Sequence, residues 1–431
     1  MAQKAIREFY AKKLVYGYLP EFWSEFTQQY DGYLLSTLDT KSTRSFARDP
    51  RKYSEGYVVK PDELFGKRGK NKLVYIAETK NDVVKWINQK SEKPVTIVQN
   101  EKKITGILNN FIVEPFIAHE QEYYIAIKTN RDYDSLFFSL KGGIDVEENW
   151  KDVTEIRIPF VLSNSKIIDQ TLEPITKLLR SDANSSAVLK FISALYQTFK
   201  LLNFTYLEIN PFVFKDNKLY ILDLVSRLDD TASYQNQNLW TKAGDFDFPN
   251  PFGSTLKESE ANIASLDSKS GASLKFKIIN PKGRIWLLTS GGGGSVVFAD
   301  TIGDLGYHQD IANYSDYSGN PNSDETQEFC ENIFAEMFKS PTNNKVLIVA
   351  GGIANFTDIA KTFIGVSKAI TTYQEDFRKQ KVKIFVRRGG PNYLQGLERM
   401  RLLGRDLRIP IDVHGPETYM TEVIKLAVDS L

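Results

Sequence analysis

The chain has 431 residues, of which 42% are hydrophobic, 25% charged and 12% aromatic, the balance of a folded globular protein rather than a disordered or fibrous one. Its 55 Lys and Arg against 54 Asp and Glu leave a formal charge of +1, which excludes the clustered basic surface that nucleic-acid binding needs. The length implies two or three domains, and no apolar run approaches the roughly 18 to 20 residues of a membrane span, so neither a membrane nor a nucleic acid is expected as a partner.

The N-terminal stretch MAQKAIREFYAKKLVYGYL disperses its charges and has no continuous apolar core, so it predicts an amphipathic helix and not a signal peptide. From Tyr57, YVVKPDELF and KLVYIAE predict two strands around a basic glycine loop. A short helix, NDVVKWINQK, precedes the apolar strand ILNNFIVEPFI, which Glu114 and Pro115 interrupt. EYYIAIKTNRDYDSLFFSL then predicts an antiparallel hairpin turning at TNRDYD. Between Thr154 and Ser185 only one strand and one helix are legible. A helix at SAVLKFISALYQTFKLL leads to a second hairpin, TYLEINPFVFKDNKLYILDLVSRLD, whose turn is KDN.

Pro249, Pro251 and Gly253 then interrupt any regular element, and they place a domain boundary near Asp245. The expected domains are 1–244, with two subdomains split near 110, and 245–431. The second repeats one pattern four times, an apolar strand, a small-residue loop and a helix, starting at Arg284, Lys345, Val382 and Pro410. Such junctions turn free backbone N–H groups and helix dipoles toward one edge of a parallel sheet, a setting for anions. Cys330 is the single cysteine, so no disulfide forms within the chain; its amphipathic helical context marks a buried structural thiol, and the expected compartment is the cytoplasm.

Several residues carry chemistry. Glu208 and Asn210, two apart on one strand, share a face, and Asp223 returns opposite Asn210 across the KDN turn. Paired oxygen donors suit a hard cation such as Mg²⁺, although a merely solvated hairpin face has the same spacing. Lys60 at a strand end and Arg68 with Gly69 in the basic loop can clamp phosphates, or be an ordinary surface lysine and turn. The break at Glu114 and Pro115 leaves backbone groups free to read a base edge. Asn355 and Thr357 can cap a helix or donate to a ligand. Arg387 and Arg388 follow the strand VKIFV at a carboxyl end, where open α/β sheets bind ligands. Gly291 to Gly294 serve close packing as readily as anion binding.

KPDELFGKRGK, FIVEPF, FTYLEINPFVF and LYILDL resemble the nucleotide-binding segments of the ATP-grasp family, in the branch of acyl-CoA synthetases. SGASLKFKIINPKGRIW, GGGGSVV, GGIANFTD and FVRRGGPNY are similar to the ATP-citrate lyases, in the A-subunit form related to the succinyl-CoA synthetase β subunit. The resemblance spans nearly the whole chain. It implies an α/β protein: an α+β ATP-grasp fold followed by a flavodoxin-like parallel α/β domain that binds citrate. It further implies that Lys60, Arg68 and Gly69 contact ATP phosphates, with Lys60 and Arg68 offsetting charge during phosphoryl transfer. Pro115 and Ile117 would form the adenine hinge and Glu122 would hold the ribose. Asn210 and Asp223 would carry Mg²⁺, Asp223 also facing ATP. A second family metal site maps onto Asp267, Ser270 and Ala272, residues that a capping turn explains equally. Citrate contacts map onto Ser318, Gly319, Asn355, Phe356, Thr357, Tyr373 and Arg388.

The implied reaction sends the γ-phosphate of ATP to a histidine and then to citrate; CoA attacks the citryl phosphate, and citryl-CoA is cleaved to acetyl-CoA and oxaloacetate. None of His119, His308 and His414 lies in a glycine-flanked loop like the family's phosphohistidine segment. That histidine, the main CoA site and the citryl-CoA lyase module are therefore expected on a second subunit of a hetero-oligomer. A subunit of a stand-alone citryl-CoA synthetase, or the β subunit of a succinyl-CoA or malate-CoA ligase, is the alternative expectation.

Overall fold

The computed structural model describes residues 3–99, 102–146, 150–160, 171–254 and 256–431. The chain divides into two compact units, Met1–Thr255 and Leu256–Leu431. The segment after Asp245 thus belongs with the first unit, beyond the expected boundary. Its aromatic residues are the reason: Phe246 and Phe248 pack on Trp240, and Phe252 on Phe65.

The first unit holds two main antiparallel sheets. The larger runs in the order Gln3–Ile6, Leu224–Asp229, Phe204–Lys215, Tyr123–Thr129, Tyr133–Ser139, Thr154–Pro159, with Lys218–Ile221 also on Phe204–Lys215. The helices Glu8–Phe22 and Ser185–Leu201 bury their apolar faces against it in a core that includes Leu14, Tyr18, Phe191, Leu195 and Phe212. The smaller sheet has the order Tyr33–Ser36, Asn110–Pro115, Tyr57–Pro61, Tyr75–Ala77. Asn110–Pro115 is interior to it, so the chain leaves this sheet after Pro115 and not near 110. Both expected hairpins form. The second turns through Asp216 and Asn217, both at positive φ, with Lys215 paired to Lys218, a two-residue turn whose twist matches that of its strands. Its returning arm breaks at Leu222 and Asp223, between Lys218–Ile221 and Leu224–Asp229. Of the expected strand and helix after Thr154, Thr154–Pro159 and Glu173–Leu178 form; residues 161–170 of that stretch lie outside the described residues.

The second unit is doubly wound. Ile285–Ser290, Val346–Ile353, Lys383–Gly389 and Ile411–His414 form one parallel sheet in that order. The helices Ser323–Lys339, Ile359–Thr372 and Tyr393–Leu407 contribute to the core on one face; Gly292–Asp304 and Met420–Asp429 contribute to a second core on the other. Cys330 is fully buried in the first of these cores, where burial pushes its thiol up. No described helix is long and apolar enough to cross a membrane.

A fifth strand, Asn313–Ser318, lies beside Ile285–Ser290 but is joined to it by side chains in place of a main-chain ladder. The buried Asn313 amide accepts from Leu287 N at 2.9 Å and donates to Leu287 O at 2.8 Å, while Ser315 Oγ accepts from Thr289 N at 3.1 Å. With this seam counted, the five parallel strands, numbered in chain order, lie as 2-1-3-4-5, the flavodoxin-like order, whose switch point falls between Ile285–Ser290 and Val346–Ile353; a further strand, Ser273–Ile278, pairs antiparallel with Asn313–Ser318 at the edge. Removing the amide in Asn313→Ala orphans the buried Leu287 N–H, so urea unfolding of the variant is expected to show a loss of about 1 to 3 kcal/mol; a loss under about 0.5 kcal/mol would show that the seam does not hold the strand.

Candidate functional site

A cleft of about 770 Å³ opens in the first unit, lined from both sheets. Lys60, Arg68, Gly69, Pro115, Ile117, Glu122, Asn210 and Asp223 all line it. Segments far apart in sequence therefore reach one cavity.

At one end sits a buried charge network. Lys60 ends the strand Tyr57–Pro61, and its Nζ lies 2.8 Å from Glu8 Oε1, 3.6 Å from Glu114 and 3.8 Å from Asp223. Arg68 Nη1 donates to Glu8 and, at 3.1 Å, to Asp223. Lys12 Nζ, fully buried, contacts Glu8 at 2.7 Å and Glu114 at 2.6 Å. Burial alone would raise the Glu8 carboxyl, but Lys12, Lys60 and Arg68 outweigh it and hold it well below its ordinary value. Burial would likewise lower Lys60 and Arg68, yet the facing carboxylates keep both above theirs. Glu8 and Lys12 come from the N-terminal helix, expected to be merely amphipathic. Their spacing is that of an exposed i, i+4 pair, and only the packing shows that both are buried.

That helix is capped from outside itself. Asp62, just past Lys60, accepts from Glu8 N at 2.8 Å and Phe9 N at 3.2 Å, meeting two of the N–H groups that a helix start leaves free. Full burial, then the nearby Glu8 charge, push the Asp62 carboxyl up to about 6.

At the other end, Phe116 N donates to Gly56 O, and His119 bridges the loop that follows. Its Nδ1 is 2.6 Å from Ile117 O and its Nε2 is 2.7 Å from Glu122 Oε1, so the ring ties that carbonyl to the carboxylate that follows it. Asn210 clasps Gly143, accepting from its N–H at 2.7 Å and donating to its carbonyl at 3.2 Å. Gly143 has φ +79° and a side chain there would lie 2.3 Å from Glu122, so only glycine fits. Asn210 pairs with Asp223 through its backbone, Asn210 N donating to Asp223 O at 3.1 Å. Both residues line the cleft, with Asn210 Oδ1 accepting from Gly143 and Asp223 Oδ1 facing Arg68 and Lys60.

In the second unit Arg388 stands at the carboxyl edge of the parallel sheet. It is 3% exposed, its Nη2 donates to Ser290 Oγ at 2.8 Å and its Nη1 to Gly352 O at 3.1 Å, and its Nε has no partner. Burial, foremost, lowers its pKa. Among the described residues no carboxylate forms an ion pair with it. Asp316 is the carboxylate nearby, and it is committed to Gly291 N at 2.7 Å and Ser318 Oγ at 3.2 Å. Arg388 crosses the end of the neighbouring strand only because position 351 is glycine: a Cβ there would lie 1.9 Å from its Nη1. Arg387, next in line, is spent on carbonyls, bonding Gly351, Pro416 and Thr418 at 2.7 to 3.2 Å.

Ser318 and Gly319 end the side-chain-linked strand at the same edge, and Asn320 Oδ1 accepts from Asp358 N at 3.2 Å, joining that loop to the segment of Asn355, Phe356 and Thr357. Asp358 caps the helix Ile359–Thr372 by accepting from Lys361 N, so Asn355 and Thr357 are not its caps. Tyr373 is not brought to this edge, a correction to the expected set. It follows the last turn of the same helix, about 20 Å along the axis from the first, and packs on Phe334 and Phe338.

The Asp267 group forms a turn. Asp267 accepts from Leu274 N at 2.7 Å and pairs with Lys275 at 2.5 Å, and Ser270 Oγ donates to Glu325 and accepts from Ala272 N. An ammonium already stands where a cation would sit. Among the described residues no cluster of three or more His, Cys, Asp or Glu could hold a metal.

Comparisons with known proteins agree with this division. Residues 2–240 match the family described as ATP-citrate synthase ATP-grasp domain, and residues 254–430 the family described as ATP citrate lyase citrate-binding. ATP-citrate synthase alpha chain protein 2 of Arabidopsis thaliana is 40% identical over 435 residues, covering 99% of this chain and 98% of that one. The human ATP-citrate synthase is 40% identical over 436 residues, covering 99% of this chain but 38% of its own length. A solved structure of ATP citrate lyase from Methanothrix soehngenii, in complex with citrate and coenzyme A, superposes with a TM-score of 0.83 at 40% identity, over 99% of this chain and 100% of that one.

The raised Asp62 carboxyl has a measurable consequence. Between its ordinary 3.8 and about 6 the folded chain keeps a proton that the unfolded chain has released, so stability falls as pH rises through that window, by on the order of 3 kcal/mol. Glu8 works oppositely, but only below the ordinary carboxylate range. Denaturant unfolding between pH 4.5 and 6.5 is expected to show this slope in the native chain and a flatter one in Asp62→Asn, whose amide oxygen keeps one of the two cap hydrogen bonds and which does not titrate; equal slopes would reject the assignment.

Proposed function

The chain belongs to the ATP-citrate synthase family and is its ATP- and citrate-binding subunit, and we propose how its two units divide the work. The cleft of the first unit takes ATP, with Pro115 and Ile117 at the adenine, Glu122 at the ribose, and Lys60, Arg68 and Gly69 at the phosphates. The edge around Arg388 takes citrate, together with Ser318, Gly319, Asn355, Phe356 and Thr357. The observation that carries this reading is Arg388 itself: a buried guanidinium that no carboxylate among the described residues pairs with is costly unless an anion completes it. A carboxylate matches its fork with two parallel hydrogen bonds.

Asp223 and Asn210 offer one carboxylate and one amide oxygen to the cleft, a donor set that fits Mg²⁺, whose other ligands are phosphate and water. Bound there, the ion would neutralise phosphate charge. Lys60 and Arg68 hold the transferring phosphoryl group in place and offset its charge. The chain's own histidines do not supply an acceptor. Both ring nitrogens of His119 are engaged, His308 sits in a short turn, and His414 pairs with Asp412 at 3.0 Å. The phosphate-accepting histidine, the main CoA site and the citryl-CoA lyase module then belong to a second subunit. An apolar rim supports a docking partner: Ile353, Phe356, Leu394 and Tyr419, at the strand end and helix starts of the citrate edge, are 65%, 68%, 67% and 77% exposed.

The test is a calorimetric titration of the purified chain with Mg-ATP and with citrate. Both are expected to bind, and Arg388→Lys is expected to weaken citrate at least ten-fold, about 1.4 kcal/mol, with Mg-ATP binding kept; equal loss of both ligands would sink the citrate assignment. Citryl-CoA is expected only after a partner subunit is added, and robust CoA-dependent turnover by this chain alone would refute the divided site.

A further inference from the structure

The first turn of the N-terminal helix inserts a carboxylate between the two cations that the cleft offers to phosphates. Glu8 Oε1 lies 2.8 Å from Lys60 Nζ and 2.7 Å from Lys12 Nζ, and Oε2 accepts from Arg68 Nη1. The Glu8 side chain has no exposed surface, so solvent does not screen its charge. The ions in mutual contact, Lys12, Lys60 and Arg68 against Glu8, Glu114 and Asp223, balance one another in charge. A phosphate that reaches Lys60 and Arg68 therefore meets cations whose charge is already matched.

The three carboxylates differ in what they can do when a ligand arrives. The Asp223 side chain is 39% exposed and can turn toward a cation that accompanies the nucleotide. Glu114 lines the cleft and is shared with Lys12 and with Tyr30, whose hydroxyl donates to it at 2.9 Å. Glu8 neither lines that cleft nor can turn. Its backbone N–H is fixed by Asp62 and both of its oxygens are taken.

We propose that Glu8 is a resident counter-anion of the phosphate clamp. It positions Lys60 and Arg68 and, by matching their charge, lowers their affinity for nucleotide phosphates, so that the spent nucleotide is released. It touches no ligand and is a positioning residue. The inference rests on reading this cleft as the ATP site.

Calorimetric titration of the full chain with Mg-ATP and Mg-ADP tests it, with citrate as the reference ligand of the other unit. Glu8→Gln keeps the side chain's size and one acceptor but removes the charge, so affinity for both nucleotides is expected to rise about five-fold or more while that for citrate stays put. Adding Lys12→Met restores the charge match, and the gain is expected to disappear. A Glu8 that merely supports the fold predicts the reverse, weaker nucleotide binding in the single variant and no recovery in the double. Weaker or unchanged affinity in folded Glu8→Gln overturns the proposal. Should the single variant fail to fold, the double variant decides: an Mg-ATP affinity ten-fold or more below that of the native chain overturns it, and a comparable one supports it. If the native chain binds citrate but no nucleotide, the reading of the cleft falls, and the role of Glu8 with it.

Discussion

The contact on which the nucleotide-binding unit depends is the one between a buried carboxylate and three cations at the start of the N-terminal helix. An ion taken out of water costs several kcal/mol unless it is paired and hydrogen-bonded, so Glu8 obliges Lys12, Lys60 and Arg68 to gather round it. Those cations come from the N-terminal helix, the smaller sheet and the basic loop. Asp223, at the break in the larger sheet's returning hairpin, closes the set. Satisfying one charge thereby fixes where the wall of the cleft runs. The same short segment joins the two sheets: Gln3–Ile6 pairs with Leu224–Asp229 in the larger one, while Asp62, at the end of a strand of the smaller one, caps the helix that follows.

The second unit treats its buried charge in the opposite way. Arg387 is saturated by three backbone carbonyls and acts as a brace, whereas Arg388 is left with a hydroxyl, one carbonyl and an unpaired Nε. The difference follows from period-two alternation, which sends adjacent strand residues to opposite faces. A saturated network suits a site that must release what it holds, and an unsatisfied guanidinium suits one whose ligand is itself the missing counter-charge. Arg388 also reaches across the end of Val346–Ile353 to Ser290 at the end of Ile285–Ser290. It thus spans the switch point, the crevice that this strand order leaves open.

Much of the fold was legible in local patterns. The two hairpins, the four strand-loop-helix repeats and the buried Cys330 need only alternation, turn residues and helical periodicity, which are properties of neighbours in sequence. The residues lining the cleft were legible through resemblance and not through spacing: Lys60 at a strand end or Asn210 facing Asp223 has an ordinary surface explanation until the segments are seen together. Glu8 and Lys12 were missed because an i, i+4 pair of opposite charges looks the same on an exposed helix as on a buried one. Tyr373 was misplaced because a helix separates, by its length, two residues that a motif reading treats as one site. Asn355 and Thr357 looked like caps, and Asp358 took that role.

The sequence by itself determined the elements, the order of the two architectures and the residue types that suit phosphate and carboxylate, because these depend on side-chain chemistry and short-range periodicity. Tertiary structure decided which charges are buried, which are already paired and which remain open to a ligand. Burial is set by contacts between segments as far apart as Glu8 and Arg68, or Arg388 and Ser290, and the energy of a charge depends on the dielectric and the partners around it. That is why Lys60 and Arg388 look alike as lone cations in the sequence, yet the structure makes one a member of a neutral network and leaves the other buried with a hydroxyl and a carbonyl as its hydrogen-bond partners.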